Sequence, residues 1–240
     1  MKSIAMGLIS LVALSFTGQS FASDVDQRDL VKIQSLLPTM YYTASEAKTS
    51  CKGRYGRTNY RASQTEDLRT PEGKYIATVC KRFASLLLME GAGILKDRGA
   101  GEILVNYNRK IRGIPRYRIL ERCKFGQGVR SLCLLPYHTI ASDNRIHKPN
   151  EIIYIPAAKG IKLPDGSIHD GMFIVRDTGG AFQGVGHKRV DLFVGTDTDY
   201  NNAFQRAGFH HKKPLTAYKV KRQSAENIKL KLKEKFGDLY

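Results

Sequence analysis

The chain has 240 residues, 39 of them Lys or Arg against 22 Asp or Glu, for a formal net charge of +17. A length of this order is one or two domains with a substantial core, and after the first stretch no apolar run is long enough to cross a bilayer, which excludes a multispanning helical membrane protein. So large a positive balance points to a polyanionic partner, with a merely solvated basic surface as the alternative, and it says little about fold.

Residues 1–22 read as a secretory signal, with Lys2 at the charged end, an apolar stretch over 4–16 and a small-x-small cleavage site at Ser20-Phe21-Ala22. The mature chain then begins at Ser23, with no cysteine beside the site to carry a lipid, and the product is expected to be secreted, periplasmic or extracellular. Residues 24–37 place Leu30, Ile33, Leu36 and Leu37 at helical spacing before Pro38, which predicts a helix there. Residues 50–75 are polar and turn-rich. From Ile76 the positions Val79, Phe83, Leu86 and Leu87 fit one face of a second helix that ends near Gly91 and Gly93.

Short β-type runs follow at 103–107, 117–120, 132–135, 152–155, 173–175 and 190–194, separated by Gly, Pro, Asn and Asp, the pattern of a sandwich or small barrel. The tail from His210 is basic, and Ala225, Ile228, Leu232 and Phe236 share one face of an amphipathic helix. That helix is either docked on the body or a dedicated binder of wall or membrane.

Cys51, Cys80, Cys123 and Cys133 have no CxxC spacing, so zinc and a thioredoxin-like pair are disfavoured, and export favours two disulfides. The glycines of KFGQGVRSL can turn a hairpin that brings Cys123 to Cys133, which leaves Cys51 for Cys80; three connectivities are possible, and this one is preferred. His169, His187, His210 and His211 lack ligand spacing, and Asp197 and Asp199 resemble a calcium loop only faintly, so no metal is expected.

The most informative stretch is 154–195. Asp177 and Asp191 each border an apolar run, with the glycine-rich segment TGGAFQG between them. Alternation on a strand groups Arg189, Asp191 and Phe193 on one face against Val190, Leu192 and Val194, and groups Asp177 with Phe173 and Val175. Glycines 179, 180 and 184 can supply positive φ or close approach. Either acid can instead be a structural cap of a turn.

The run DTGGAFQG from Asp177, followed by RVDLF to Phe193, resembles the signature of the 3D (Asp-Asp-Asp) domain, and HTIASDNRI and DGSIHDG resemble its earlier blocks. MYYTASEA and LLLMEGAGIL resemble upstream blocks of the membrane-bound lytic transglycosylase A family. The resemblance implies a mainly β fold with some α: a double-psi β-barrel core with N-terminal elements and a C-terminal helix. The implied organisation is a signal at 1–22, a helical and turn-rich region at 23–100, the barrel at 101–209 and a basic tail at 210–240.

It also implies an exported enzyme that cleaves the MurNAc–GlcNAc β-1,4 bond of peptidoglycan to a 1,6-anhydro product, with Asp191 as acid and base and Asp177 and Asp143 as the other motif aspartates. Asp170, in HDG, is a further candidate acid. Tyr42, Thr43, Thr178, Gly179, Gly180 and Arg189 are implied substrate contacts, Arg189 also being a candidate partner of Asp177. The expected partner is the glycan strand, acted on by a monomer without cofactor or nucleic acid; the rival readings are a non-catalytic wall-binding barrel and a general polyanion binder.

Overall fold

The structure, a computed structural model, describes residues 25–51, 64–185, 189–196 and 201–240. The expected signal and mature start, His187, and the Asp197–Asp199 pair lie outside these residues. Among the described residues no helix is long and apolar enough to cross a membrane.

Six strands close into a barrel in the order β1-β11-β8-β10-β9-β12: β1 (Leu30–Tyr41), β8 (Thr139–Ala141), β9 (Ile152–Tyr154), β10 (Met172–Asp177), β11 (Arg189–Phe193) and β12 (Leu215–Val220). β1 runs parallel to β11 and β8 parallel to β10, while the other pairs are antiparallel. Leu36, Ile140, Ile153, Phe173, Val175, Val190, Leu192 and Ala217 fill the interior.

The helix expected over 24–37 is instead a short 3-10 turn, Gln27–Asp29, leading into β1. The register of β1 against β12 shifts between Ile33 and Leu36, so these two residues, three apart, both face the interior. A bulge inserts one residue into the strand period, and the local spacing then imitates a helix turn. The barrel therefore draws its first strand from the region assigned to N-terminal elements and its last from the tail.

The strands expected at 103–107 and 117–120 form, but in a separate sheet of order β2-β5-β6-β7, made of β2 (Ala44–Ser45), β5 (Ala92–Leu95), β6 (Ile103–Ile111) and β7 (Ile114–Ile119). A hairpin of β3 (Thr65–Arg69) and β4 (Tyr75–Cys80) and helix α1 (Lys81–Glu90) cover one face of it. The second predicted helix thus starts later than its pattern suggests, because 75–80 pairs with β3 as a strand. Phe83 and Leu87 pack on Leu68, Leu95, Val105 and Tyr117, and Gly91, at φ 82°, closes α1. Residues 132–135 form no strand; an isolated bridge, Gln127 to Cys133, holds them. Disulfides join Cys51 to Cys80 and Cys123 to Cys133.

Helix α2 (Arg222–Phe236) is docked on the barrel through Ala225, Ile228 and Leu232, which meet Leu135, Ile152, Met172, Ile174 and Val220. Its first turn is capped from the other end of the chain: the Ser224 amide donates to the Asp29 carboxylate at 3.4 Å. Beyond α2, the fully buried guanidinium of Arg176 donates to the backbone oxygens of Cys133, Leu239 and Tyr240 and lies 4.2 Å from the Tyr240 ring centre. Burying a guanidinium is tolerable only with such a set of acceptors.

Candidate active site

The outer face of the barrel, where β10, β8 and β11 lie side by side, brings Asp177 and Asp191 together. Both are in register with Ala141 of the strand between them. Register partners share a face, so the two carboxyls flank one methyl group across about 10 Å of sheet. On β11 alternation holds: Val190 and Leu192 enter the barrel, while Phe193 joins Tyr41, Ala141 and Phe182 outside. On β10 it does not. The register shifts between Val175 and Asp177, so Asp177 leaves the interior side of Phe173 and Val175 and turns outward.

Burial raises both acids. Asp177 is pushed up to about 6 chiefly by desolvation, reinforced by the charge of Asp191 and opposed by the Thr178 amide, which donates to its Oδ1 at 2.8 Å, and by Tyr41. Asp191 is also pushed up to about 6 by desolvation, opposed by Arg189. Arg189 Nε stands 3.6 Å from Asp191 Oδ1, and neither atom has a hydrogen-bond partner. The arginine therefore faces Asp191 rather than the Asp177 partner considered from sequence, and its guanidinium lies over the Phe182 ring at 5.5 Å.

Tyr41, from the MYYTASEA block whose resemblance implies a groove lining, and Glu90, not singled out from sequence, complete the setting. The Tyr41 hydroxyl is buried with no partner at hydrogen-bond geometry, yet it lies close enough to Asp177, Asp191 and Glu90 for all three charges to raise its pKa after burial does. Glu90, the last residue of α1, accepts the Tyr42 amide at 3.2 Å and is pushed up to about 7 by burial and then by the charge of Asp191. Its sequence signal is a lone acid at the end of an apolar helix, inside the LLLMEGAGIL block. It links the second sheet to the barrel site.

The remaining candidates are placed differently. Asp143 is clamped by Arg145, whose Nε and Nη2 donate at 2.9 and 2.6 Å, and its pKa is held well below the carboxylate range by that side chain. That clamp favours its anion, which suits a fixed charge better than a proton donor. Thr43 is fully buried and its hydroxyl donates to the Phe125 carbonyl, so it packs the junction between the two sheets. Thr178 donates its hydroxyl to Ser142 O at 2.7 Å, pinning the start of the glycine segment.

Among the three glycines only Gly184 has positive φ, at 80°; Gly179 is extended and the space in front of Gly180 is open. The glycine that close approach does require is Gly128, where a Cβ would sit 2.2 Å from the Arg176 carbonyl oxygen and 3.1 Å from Asp177 Cβ. Asp170 accepts the Met172 amide at 2.8 Å, away from the pair.

His138, His169 and Asp170 cluster closely enough to suggest metal ligands. The histidine nitrogens have other work. His169 meets Tyr137 O and the Gly171 amide, and His138 meets Met172 O and the Lys235 ammonium. Burial keeps both imidazoles neutral, and the stacked rings anchor α2 through Lys235 and Phe236.

No curated protein matches the chain in sequence. Among solved structures, MltA of E. coli with bound chitohexaose is similar at 13% identity over 78% of this chain and 72% of that one, with a TM-score of 0.48. A membrane-bound lytic murein transglycosylase from Agrobacterium tumefaciens is similar at 13% identity over 83% and 78%, with a TM-score of 0.45. The lytic transglycosylase LtgG of Burkholderia pseudomallei is similar at 13% identity over 80% and 74%, with a TM-score of 0.40. The model of the 3D domain family matches residues 138–218, the stretch from β8 to β12 that carries both Asp177 and Asp191.

Proposed function

We propose that this protein is an exported peptidoglycan lytic transglycosylase, built on a double-psi barrel, that cleaves the MurNAc–GlcNAc β-1,4 bond to a 1,6-anhydro product. The observation that carries this reading is the pair of outward-facing, buried carboxyls on the barrel segment that matches the 3D domain, both with pKa values pushed up to about 6. A raised pKa is what a carboxyl needs in order to hold a proton near neutral pH and still act as a base afterwards.

In this reading the protonated Asp191 donates to the glycosidic oxygen as the bond to C1 breaks. Its carboxylate then accepts the proton of the sugar's own C6 hydroxyl as that oxygen bonds to C1. No water enters, and the proton count on Asp191 returns to its starting value. Asp177 stands beside Asp191 as a second carboxyl of similarly raised pKa, Arg189 orients the substrate at the open side, and Thr178, Gly179, Gly180 and Tyr42 border the groove. Asp143 serves as a fixed anion that shapes the loop through Arg145.

Mass spectrometry of purified sacculi after incubation with the protein tests the proposal. Release of 1,6-anhydro muropeptides is the expected result. Release of reducing-end products makes the protein a hydrolase, and wall binding without release makes it a wall-binding barrel.

A further inference from the structure

The β6–β7 ribbon carries arginines to which its own fold gives no carboxylate, although Arg116 Nη1 donates to the Pro115 carbonyl of its own strand at 3.3 Å. Register sets Asn106 against Arg118 and Arg109 against Arg116, with the register shift falling between Tyr107 and Arg109. Cross-strand partners share a face, and residues two apart on a strand do as well. Arg109, Arg116 and Arg118 therefore form a stripe on the face of Asn106. The opposite face, with Val105 and Tyr117, belongs to the cluster under α1.

The stripe's face is the one turned to the carboxylate pair. Asn106 brackets Gln127, donating to its carbonyl at 2.6 Å and accepting from its amide at 3.0 Å. The next residue, Gly128, is the one packed against Arg176 O and Asp177 Cβ. A continuous run of residues thus leads from Asp177 through the 127–128 loop to the three arginines.

Their electrostatics are unbalanced. Like charges directly opposite one another on a sheet are destabilising, as Arg109 and Arg116 are here. Among the described residues no carboxylate lies within 4.0 Å of any of the three, although Glu72 in the β3–β4 turn feels the charge of Arg109. The Nε atoms of Arg116 and Arg118 are buried without a hydrogen-bond partner. Buried donors are nearly always matched, and planar guanidinium groups match carboxylates with paired bonds.

We propose that Arg109, Arg116 and Arg118 bind the free carboxylates of the peptide side chains carried by the glycan strand, so that the groove selects peptide-bearing over bare glycan. This rests on the reading of the carboxyl pair as a peptidoglycan site. The continuity of the stripe with that site favours carboxylates attached to the same polymer over an unrelated phosphate polymer.

The test measures binding of the full chain to soluble glycan strands bearing their peptides, and to the same strands stripped of peptides by an amidase with the lactyl carboxylates so exposed then capped as amides. The wild-type protein binds the peptide-bearing strands at least about tenfold more tightly, and the R109Q/R116Q/R118Q variant loses that preference while binding stripped strands unchanged. A Lys triple variant restores part of the preference. If the Gln triple variant fails to fold, the single Arg109→Gln variant, at an exposed position, carries the same comparison.

Equal wild-type affinity for both strands, or a variant that keeps the preference, overturns the proposal alone. Binding to neither strand overturns the peptidoglycan reading and the proposal with it. Arginine-dependent binding of duplex DNA in preference to peptide-bearing strands overturns it in favour of a phosphate polymer.

Discussion

Replacing Asp191 by Asn should make the folded protein more stable, and by an amount that depends on pH. Asp191 has a side chain only 17% exposed and a pKa pushed up from 3.8 to about 6, chiefly by desolvation. A folded-state pKa above the unfolded one means that its contribution to stability is fully present below pH 4 and is lost as pH rises through 6. Two pKa units correspond to about 3 kcal/mol, reached above pH 7. Asn is nearly isosteric, does not titrate, and loses no hydrogen bond at Oδ1, which has none. Thermal unfolding of both proteins at pH 4 and pH 8 is the assay. Near pH 4 the two should unfold together; at pH 8 the variant should be higher by roughly 6–12 °C for a chain of this size. A variant less stable than wild type at pH 8, or a difference that ignores pH, would refute the claim that burial of this carboxyl is what raises its pKa.

Three further outcomes are expected. Gly128→Ala should cost at least about 1–3 kcal/mol in chemical unfolding and reduce activity, because its Cβ would meet the Arg176 carbonyl at 2.2 Å and displace the strand end that carries Asp177. Removing residues 225–240 should abolish folding rather than merely weaken wall binding, since Ile228 and Leu232 are buried and Arg176 would lose its Leu239 and Tyr240 acceptors; circular dichroism of the truncated chain checks this. If Asp191 is the acid, kcat/KM should fall about tenfold per pH unit above pH 6, and Glu90→Gln should leave that limb in place, because Glu90, pushed up to about 7, is already mostly neutral where Asp191 titrates.

What could be read from sequence followed strict periodicity, and what escaped it followed from bulges and pairing. On β11 the alternation of Val190, Asp191 and Leu192 is regular, so the outward direction of Asp191 was legible. On β10 the same rule sends Asp177 inward with Val175, and only the register shift before it turns it out. The shift in β1 disguised a strand as a helix through Ile33 and Leu36. The observed disulfides match a pairing that sequence could only prefer, Cys123 to Cys133 from the hairpin glycines and Cys51 to Cys80 by elimination, whereas the sorting of strands between barrel and second sheet depends on partners distant in sequence. Glu90 shares that dependence, since it joins the site only when α1 docks beside Tyr42, whereas the arginine stripe comes from a local hairpin and is hidden by the register shift between Tyr107 and Arg109.

The most direct test of the central claim is digestion of purified sacculi by wild-type and Asp191→Asn proteins at pH 6, with binding to the same sacculi measured in parallel. The account expects 1,6-anhydro muropeptides from the wild type, loss of release by about 10² to 10⁴ in the variant, and equal binding by both. A variant that binds, unfolds normally and still releases anhydro products at the wild-type rate would contradict it.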